Sequence, residues 1–352
     1  MNASNHRRRK LALLFVLACS AGAPAAYHDY DALTAKLNAY AAAYPEICRL
    51  HSLGSSARDR ELWALLITDH PDEEEDEPEF RYGASIHGNE PEGREMCLYF
   101  IDMLLTEYGA LDRITNLVDS TAIWILPSMN PDSDDRHNAN GIDLDRAFPT
   151  LTDGSLSRFD GGPLTASTRQ PEVQHLMRWM ARNSFVLSAD LHSGEELVIY
   201  PYCHDYVGTP DEPLFQDLSR RYSARNPSMW NNTDFPDGIV SGADWFVALG
   251  TLQDWAYIHL GSYALTIELH KSQQILPAAD LPALWSDNAE SMLALLEAAH
   301  IGVRGLVTDR SSGEPLWAQV FVEGNSQPVF TDPDVGDYHR PLLPGTYDLI
   351  VY

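Results

Sequence analysis

Lysine is almost missing from this 352-residue chain, occurring only as Lys10, Lys36 and Lys271. Lysine and arginine together number 24 against 51 aspartates and glutamates, a formal net charge of −27. So acidic a chain has little with which to neutralise phosphates, and nucleic acid is excluded as a partner. The acidic residues are spread along the whole sequence, which fits solubility or a salt-tolerant source and assigns no function. Cysteine is scarce too. Cys19 lies in a leader-like segment, and Cys48, Cys97 and Cys203 are an odd set without paired spacing. A disulfide framework is therefore not indicated, though one bridge stays open in an oxidising compartment. Long apolar runs are absent beyond the leader: nothing approaches the ~18 residues of a membrane-spanning helix. With 44% hydrophobic and 21% charged residues, the balance is that of a globular protein and not a disordered one.

Residues 1–26 read as a secretory signal. Arg7-Arg8-Arg9-Lys10 is a basic start, residues 11–18 an apolar core, and residues 21–26 a small-residue stretch offering cleavage sites. A secreted or periplasmic location follows. Cys19, after Val16-Leu17-Ala18, offers lipid attachment as an alternative, to which Leu17 fits poorly. What remains is long enough for one large domain, expected over 27–300, and a small one over 301–352.

Within the large part, residues 31–44 predict a helix, with Leu33, Leu37, Tyr40 and Tyr44 on one face and Pro45 at its end. Residues 62–68 predict a strand, and residues 72–79 (DEEEDEPE) a solvated acidic loop. Further strands are expected at 80–86, 121–126, 185–191 and 262–269. Helices are expected at 91–108, where Gly109 is the C-cap, at 171–182 and at 280–300. Apolar strands alternating with helices specify an α/β domain with a mixed, mostly parallel sheet flanked by helices. After Gly302 the pattern changes to short alternating segments, 303–308, 318–323 and 347–351, with turns at Ser312-Gly313 and Pro344-Gly345. That is the pattern of a small β-sandwich, and the run stops within a strand at Tyr352, as a truncated domain would.

Chemistry concentrates where the strands end. Ile86 gives way to His87-Gly88-Asn89-Glu90 and a helix start at Pro91, Leu191 to His192, and Ile267 to Glu268. Ligands of open α/β sheets bind at the carboxyl ends of strands. A neutral imidazole and a carboxylate are both zinc ligands, and catalytic zinc keeps three protein ligands with one position open. His87 and Glu90 alone are a polar turn as readily as two ligands. The convergence of three strand ends makes a metal site the stronger reading.

As a set, HGNEPEG (87–93), RHNANGIDLDRAFP (136–149), DLHSG (190–194) and TIEL (266–269) resemble the zinc metallocarboxypeptidases, and in particular the subfamily that includes carboxypeptidases N, E and D. The likeness runs from Tyr27 to Tyr352, the last part resembling that subfamily's transthyretin-like β-sandwich. It implies an enzyme that removes residues from the C-termini of peptides or proteins, with one Zn2+ per chain held by His87, Glu90 and His192. It implies Glu268 as the general base that takes a proton from water and passes it to the leaving amine. Arg136 matches the group that supports the oxyanion, Arg146 the group that grips the terminal carboxylate, and Asp143 the carboxylate that orients His87.

The sequence departs from that pattern at three places. Asp145 stands where the family has asparagine, and repels a substrate carboxylate unless protonated or paired with Arg146. Phe246 stands for a mobile tyrosine, keeping the ring and losing the hydroxyl. Gln253 matches a specificity-pocket position of relatives that prefer basic ends, yet the acidic residue expected soon after Tyr200-Pro201 is Cys203, with Asp205 two residues on as a substitute. The acidic surface also favours basic peptides, and a preference for basic C-terminal residues is therefore one open expectation of the pocket. A zinc amidase or endopeptidase on cell-wall or modified peptides, and a peptide-binding module with weakened catalysis, are the alternatives these departures leave open.

Overall fold

The computed structural model describes residues 26–150 and 169–352. The expectations of a leader and of a lipid-bearing Cys19 thus fall, Ala26 apart, outside the described residues. In chain order the elements are α1 (Tyr30–Ala43), β1 (Cys48–Ser55), β2 (Glu61–Ile67), β3 (Glu79–Ala84), α2 (Glu92–Glu107), α3 (Asp112–Val118) and β4 (Ala122–Leu126). There follow α4 (Pro171–Arg182), β5 (Leu187–His192), β6 (Glu196–Tyr200), α5 (Glu212–Ser223), α6 (Pro227–Trp230), β7 (Ile239–Ser241), α7 (Gly242–Trp245), α8 (Leu252–Leu260), β8 (Tyr263–Leu269) and α9 (Leu281–Glu297).

Among the described residues, β1 to β8 form one sheet in the order β1-β2-β4-β3-β5-β8-β6-β7. Pairing is parallel for β3 with β4 and β5, for β5 with β8 and for β6 with β7. It is antiparallel at β1–β2, β2–β4 and β6–β8. The central strands are buried along their whole length, as strands covered on both faces must be. β4 shows how one strand serves two cores. Ile123 and Ile125 pack with α2, α3 and α9, and Ala122, Trp124 and Leu126 with α4 and α8. The α/β layering is as expected, and the sheet is larger than expected, since β1, β6 and β7 add to its edges.

Between β3 and β5 the sheet buries an ion pair. Arg81 Nη1 and Nη2 reach Asp190 Oδ1 and Oδ2 at 2.6 and 2.9 Å, with both residues almost wholly buried. Gly83 leaves the space this fork occupies, because a Cβ there would come within 2.4 Å of both groups. The three described cysteines, Cys48, Cys97 and Cys203, are free and buried.

The C-terminal residues form small antiparallel sheets. β10 (Gln319–Val322) lies between β11 (Val329–Phe330) and β13 (Leu349–Val351), and β9 (Val303–Leu306) pairs with β12 (Asp337–Arg340). Apolar packing of Val320 and Val329 and the Gln327 and Asp332 hydrogen bonds hold them to the larger domain, and one buried carboxylate ties the most groups together. Asp211 Oδ1 accepts from Arg340 Nη2 at 2.8 Å and Asn325 Nδ2 at 2.7 Å, and Oδ2 accepts from the hydroxyls of Tyr257 and Tyr263 at 2.8 and 2.9 Å. Asp211→Ala strands a buried guanidinium, which typically costs about 3–5 kcal/mol. A fall of that order in urea-unfolding free energy is expected. A change within error would show the docking to depend on other contacts.

Candidate metal centre and active site

The turn that presents His87 is set by backbone sterics. β3 ends at Ala84, two residues earlier than the pattern predicts, because Ser85 turns the chain with φ of 50°. Asn130 Nδ2 then donates to the Ile86 carbonyl at 3.3 Å, and Ser85 Oγ to the Glu90 carbonyl at 3.2 Å, closing a buried loop. Gly88 is required where the chain passes the Ser133 carbonyl, since a Cβ would lie 1.8 Å from that oxygen. Gly93 lets the first turn of α2 touch the sheet, its missing Cβ falling 2.9 Å from Leu191. Pro91 precedes the helix as its N-cap and is not its first residue, α2 beginning at Glu92.

From that turn His87 and Glu90 meet His192, the last residue of β5. Glu90 Oε1 lies 2.9 Å from His87 Nδ1 and Glu90 Oε2 3.0 Å from His192 Nδ1. The two rings cross nearly at right angles, 77°, with centroids 5.0 Å apart. One ligand atom from each of the three groups lies within 4.8 Å of the others, and all three residues are buried. On its other side His87 Nε2 faces Asp143 Oδ1 at 3.2 Å. Asp143 Oδ2 accepts from Arg136 Nε at 2.9 Å, so one carboxylate orients both the imidazole and the guanidinium.

The electrostatics of this cluster ask for positive charge. Burial disfavours the imidazolium of His192, yet the charge and hydrogen bonding of Glu90, with Glu268 and Asp145 behind it, push its pKa up to about 10. His87 likewise rises against burial through Asp143 and Glu90. Burial opposes ionisation of Glu90 as well, but the two imidazoles bring it down to about 2. Glu90 Oε2, though close to His192, makes no hydrogen bond of acceptable geometry, and neither does Glu268 Oε2. The orphaned Glu90 oxygen beside His192, on a carboxylate that also meets His87, fits a dication of the zinc type, which takes N and O donors and replaces the shared protons.

Register delivers the next residue. β5 and β8 run parallel with His192 directly opposite Glu268, so the two side chains emerge together at the same end of the sheet. Glu268 is 7% exposed. Burial raises its pKa, the imidazoles pull it down and Glu90 raises it again, to about 8. A carboxyl tuned into the neutral range beside a metal cluster suits proton transfer.

Nine of the residues singled out above line one cavity of about 240 Å3: His87, Glu90, Arg136, Asp145, Arg146, His192, Phe246, Gln253 and Glu268, with Asp143 placed behind His87 and Arg136. Asp145 and Arg146 are paired, Arg146 Nη1 donating to Asp145 Oδ2 at 2.7 Å, and Asp145 Oδ1 accepts the Leu252 N–H at 3.0 Å. The condition under which an aspartate is tolerable there is thus met. Phe246 lies over Arg146, with the guanidinium carbon 5.9 Å from the ring centroid, and is 48% exposed. Asp205 does not line the cavity. It is exposed and accepts from the Val207 N–H, so it does not replace the missing acid near Cys203. Among the residues that were not anticipated, Thr266 and Asp254 matter most for the shape of the cavity. Thr266 lines the cavity and was legible from strand alternation, standing two residues before Glu268 on the same face. Asp254 anchors the Cys203 loop from outside the cavity, with no local motif to announce it.

Comparison with known proteins agrees with this geometry. A family model described as zinc carboxypeptidase matches residues 33–291. The chain is 36% identical to mouse (Mus musculus) carboxypeptidase M, over 97% of this chain and 81% of that protein. It is 36% identical to the human carboxypeptidase N catalytic chain, over 91% of this chain and 79% of that protein. Identity to human carboxypeptidase D is also 36%, although the chain spans only 25% of its length. Among solved structures, the carboxypeptidase A from Helicoverpa armigera superposes with a TM-score of 0.65 at 18% identity, covering 78% of this chain and 73% of that one, a likeness of fold.

Proposed function

We propose, from the premise that the chain belongs to the zinc carboxypeptidase family, that it hydrolyses the terminal peptide bond of peptides with a free C-terminus, using the cavity around His87, Glu90, His192 and Glu268. One observation carries this reading: the three-donor cluster stands beside a buried carboxyl whose free oxygen faces the same space. His87, Glu90 and His192 would hold one zinc ion, which supplies Lewis acidity and lowers the pKa of water to about 7.

The chain's own groups do the rest. Glu268 takes the proton of the attacking water and returns it to the amine nitrogen as the C–N bond breaks, so its carboxyl ends as it began. Arg136, fixed by Asp143, presents a permanent positive charge to the oxyanion. Arg146 receives the terminal carboxylate, and all its described hydrogen bonds run through Nη1 to Asp145, leaving Nη2 and Nε to meet a ligand. The Phe246 ring lies over that guanidinium. Residues 1–26 act as a secretory signal in this reading, so the enzyme works outside the cytoplasm, and residues 301–352 form part of a transthyretin-like β-sandwich. No described helix is long and apolar enough to cross a membrane.

Peptides differing only in their last residue, with free or amidated ends, separate the rival activities when assayed with and without chelator. Release of single C-terminal residues, lost with chelator and restored by zinc at about one ion per chain, is expected. Faster cutting of amidated or internally blocked peptides would instead establish an amidase or endopeptidase. Zinc binding without any hydrolysis would leave a binding module.

A further inference from the structure

The cavity has two halves. One holds the donor cluster and Glu268. The other, which would receive the side chain of the terminal residue, is walled by Ile199, Ala248 and Thr251 and closed by a hydrogen-bonded row of neutral groups. In that row Thr266 Oγ1 donates to Gln253 Oε1 at 2.6 Å, and Gln253 Nε2 donates to Cys203 Sγ at 3.1 Å. Gln253 is only 2% exposed, with both ends of its amide engaged. Burial holds the Cys203 thiol far above its ordinary pKa, so no thiolate forms here. Behind the row Gly242 packs against the sulfur so closely that a Cβ would lie 2.3 Å from it.

Among the described residues, every carboxylate near this half is already committed. Asp145 is bound to Arg146 and to the Leu252 N–H. Asp254 does not line the cavity, and its two oxygens are saturated by the Cys203 N–H, the His204 N–H and His204 Nδ1 at 2.7–3.0 Å. Asp205 is out in solvent. Glu90 and Glu268 belong to the other half. An ammonium or guanidinium entering the recess would lose its water and find hydroxyl, amide and thiol, with no counter-charge among the described residues free to take it. A neutral side chain incurs no such penalty and finds both apolar wall and polar floor.

We propose that the Cys203–Gln253–Thr266 row makes this a recess for uncharged terminal side chains, so that the enzyme prefers peptides ending in residues such as leucine, methionine or glutamine over those ending in arginine or lysine. The inference rests on the activity proposed above and names its substrate class.

The test uses the full chain loaded with zinc and peptides of one body ending in Leu, Met, Gln, Arg or Lys, read as kcat/KM. Neutral ends are expected to exceed basic ends by at least about tenfold, the discrimination typical of a pocket that cannot pair a group it must desolvate. Gln253→Glu, which adds one carboxylate without changing the shape of the floor, is expected to move the ratio toward Arg and Lys by about tenfold or more. Cys203→Ser, uncharged, is expected to keep the wild-type order, which separates charge from packing. Equal or faster release of Arg or Lys by the wild-type protein overturns the inference while leaving the carboxypeptidase reading standing. If zinc binds and no terminal residue of any kind is released, the proposed activity falls and the inference falls with it.

Discussion

Glu268→Gln is expected to bind zinc as the wild type does and to lose nearly all turnover. The substitution keeps the size of the side chain and one of its oxygens, and removes the ability to take and return a proton. General acid–base assistance is worth about 10^2–10^4-fold, and kcat is expected to fall by that factor. KM is expected to change little, because in the proposed reaction Glu268 meets the reacting water and not the terminal carboxylate. Metal content is expected to hold at about one zinc ion, since the donor set is His87, Glu90 and His192, and Glu268 reaches it only as a neighbour of His192 across the β5–β8 pairing. His192→Ala makes the contrast, losing metal and activity together. Unchanged kcat in Glu268→Gln would remove Glu268 from the chemistry. Loss of metal in that variant would instead make it a ligand.

Most of this centre was legible before any coordinates, and the reasons are local. His87, Glu90, His192 and Glu268 each stand at the end of an apolar run, where strand geometry leaves little choice of position, and the alternation of strands and helices implied a sheet whose carboxyl ends converge. Glycines told less. That Gly88 and Gly93 are close-approach positions follows from the Ser133 carbonyl and Leu191, which are distant in sequence. The strand at 185–191 read as uniformly apolar, yet Asp190 within it is paired to Arg81 on β3, a partner no periodicity names. β1, β6 and β7 were missed for different reasons: β1 is long but half-exposed with no clean alternation, and β6 and β7 span only five and three residues, too few for a period-2 signal. Asp205 and Asp254 show the same limit in the recess. Proximity in sequence favoured Asp205 as the acid behind Cys203. The fold sends Asp205 to solvent and brings Asp254, fifty-one residues from Cys203, to the backbone of that loop.

Arg146→Ala is the second variant expected to have a large effect, and Asp145 determines how it should be read. Arg146 is the cation that the proposed function assigns to the terminal carboxylate, with Asp145 on one side and the Phe246 ring above it. Removing one partner of a hydrogen-bonded charge pair costs about 2–5 kcal/mol, which is roughly 30-fold to a few thousandfold in kcat/KM. The loss is expected mainly in KM for peptides with free C-termini and not for amidated ones, where no carboxylate is at stake. Deleting Arg146 also leaves Asp145 unpaired beside the substrate's negative charge, so part of the loss is repulsion. Asp145→Asn isolates that part. It keeps the acceptor for the Leu252 N–H, frees Arg146 Nη1 and removes the competing charge, so kcat/KM for free-carboxylate peptides is expected to rise. In the double variant the penalty of Arg146→Ala is expected to shrink, a coupling read directly from the cycle of four proteins. If instead Asp145→Asn lowers activity, the aspartate is not a competitor but a brace that holds Arg146 in its working position.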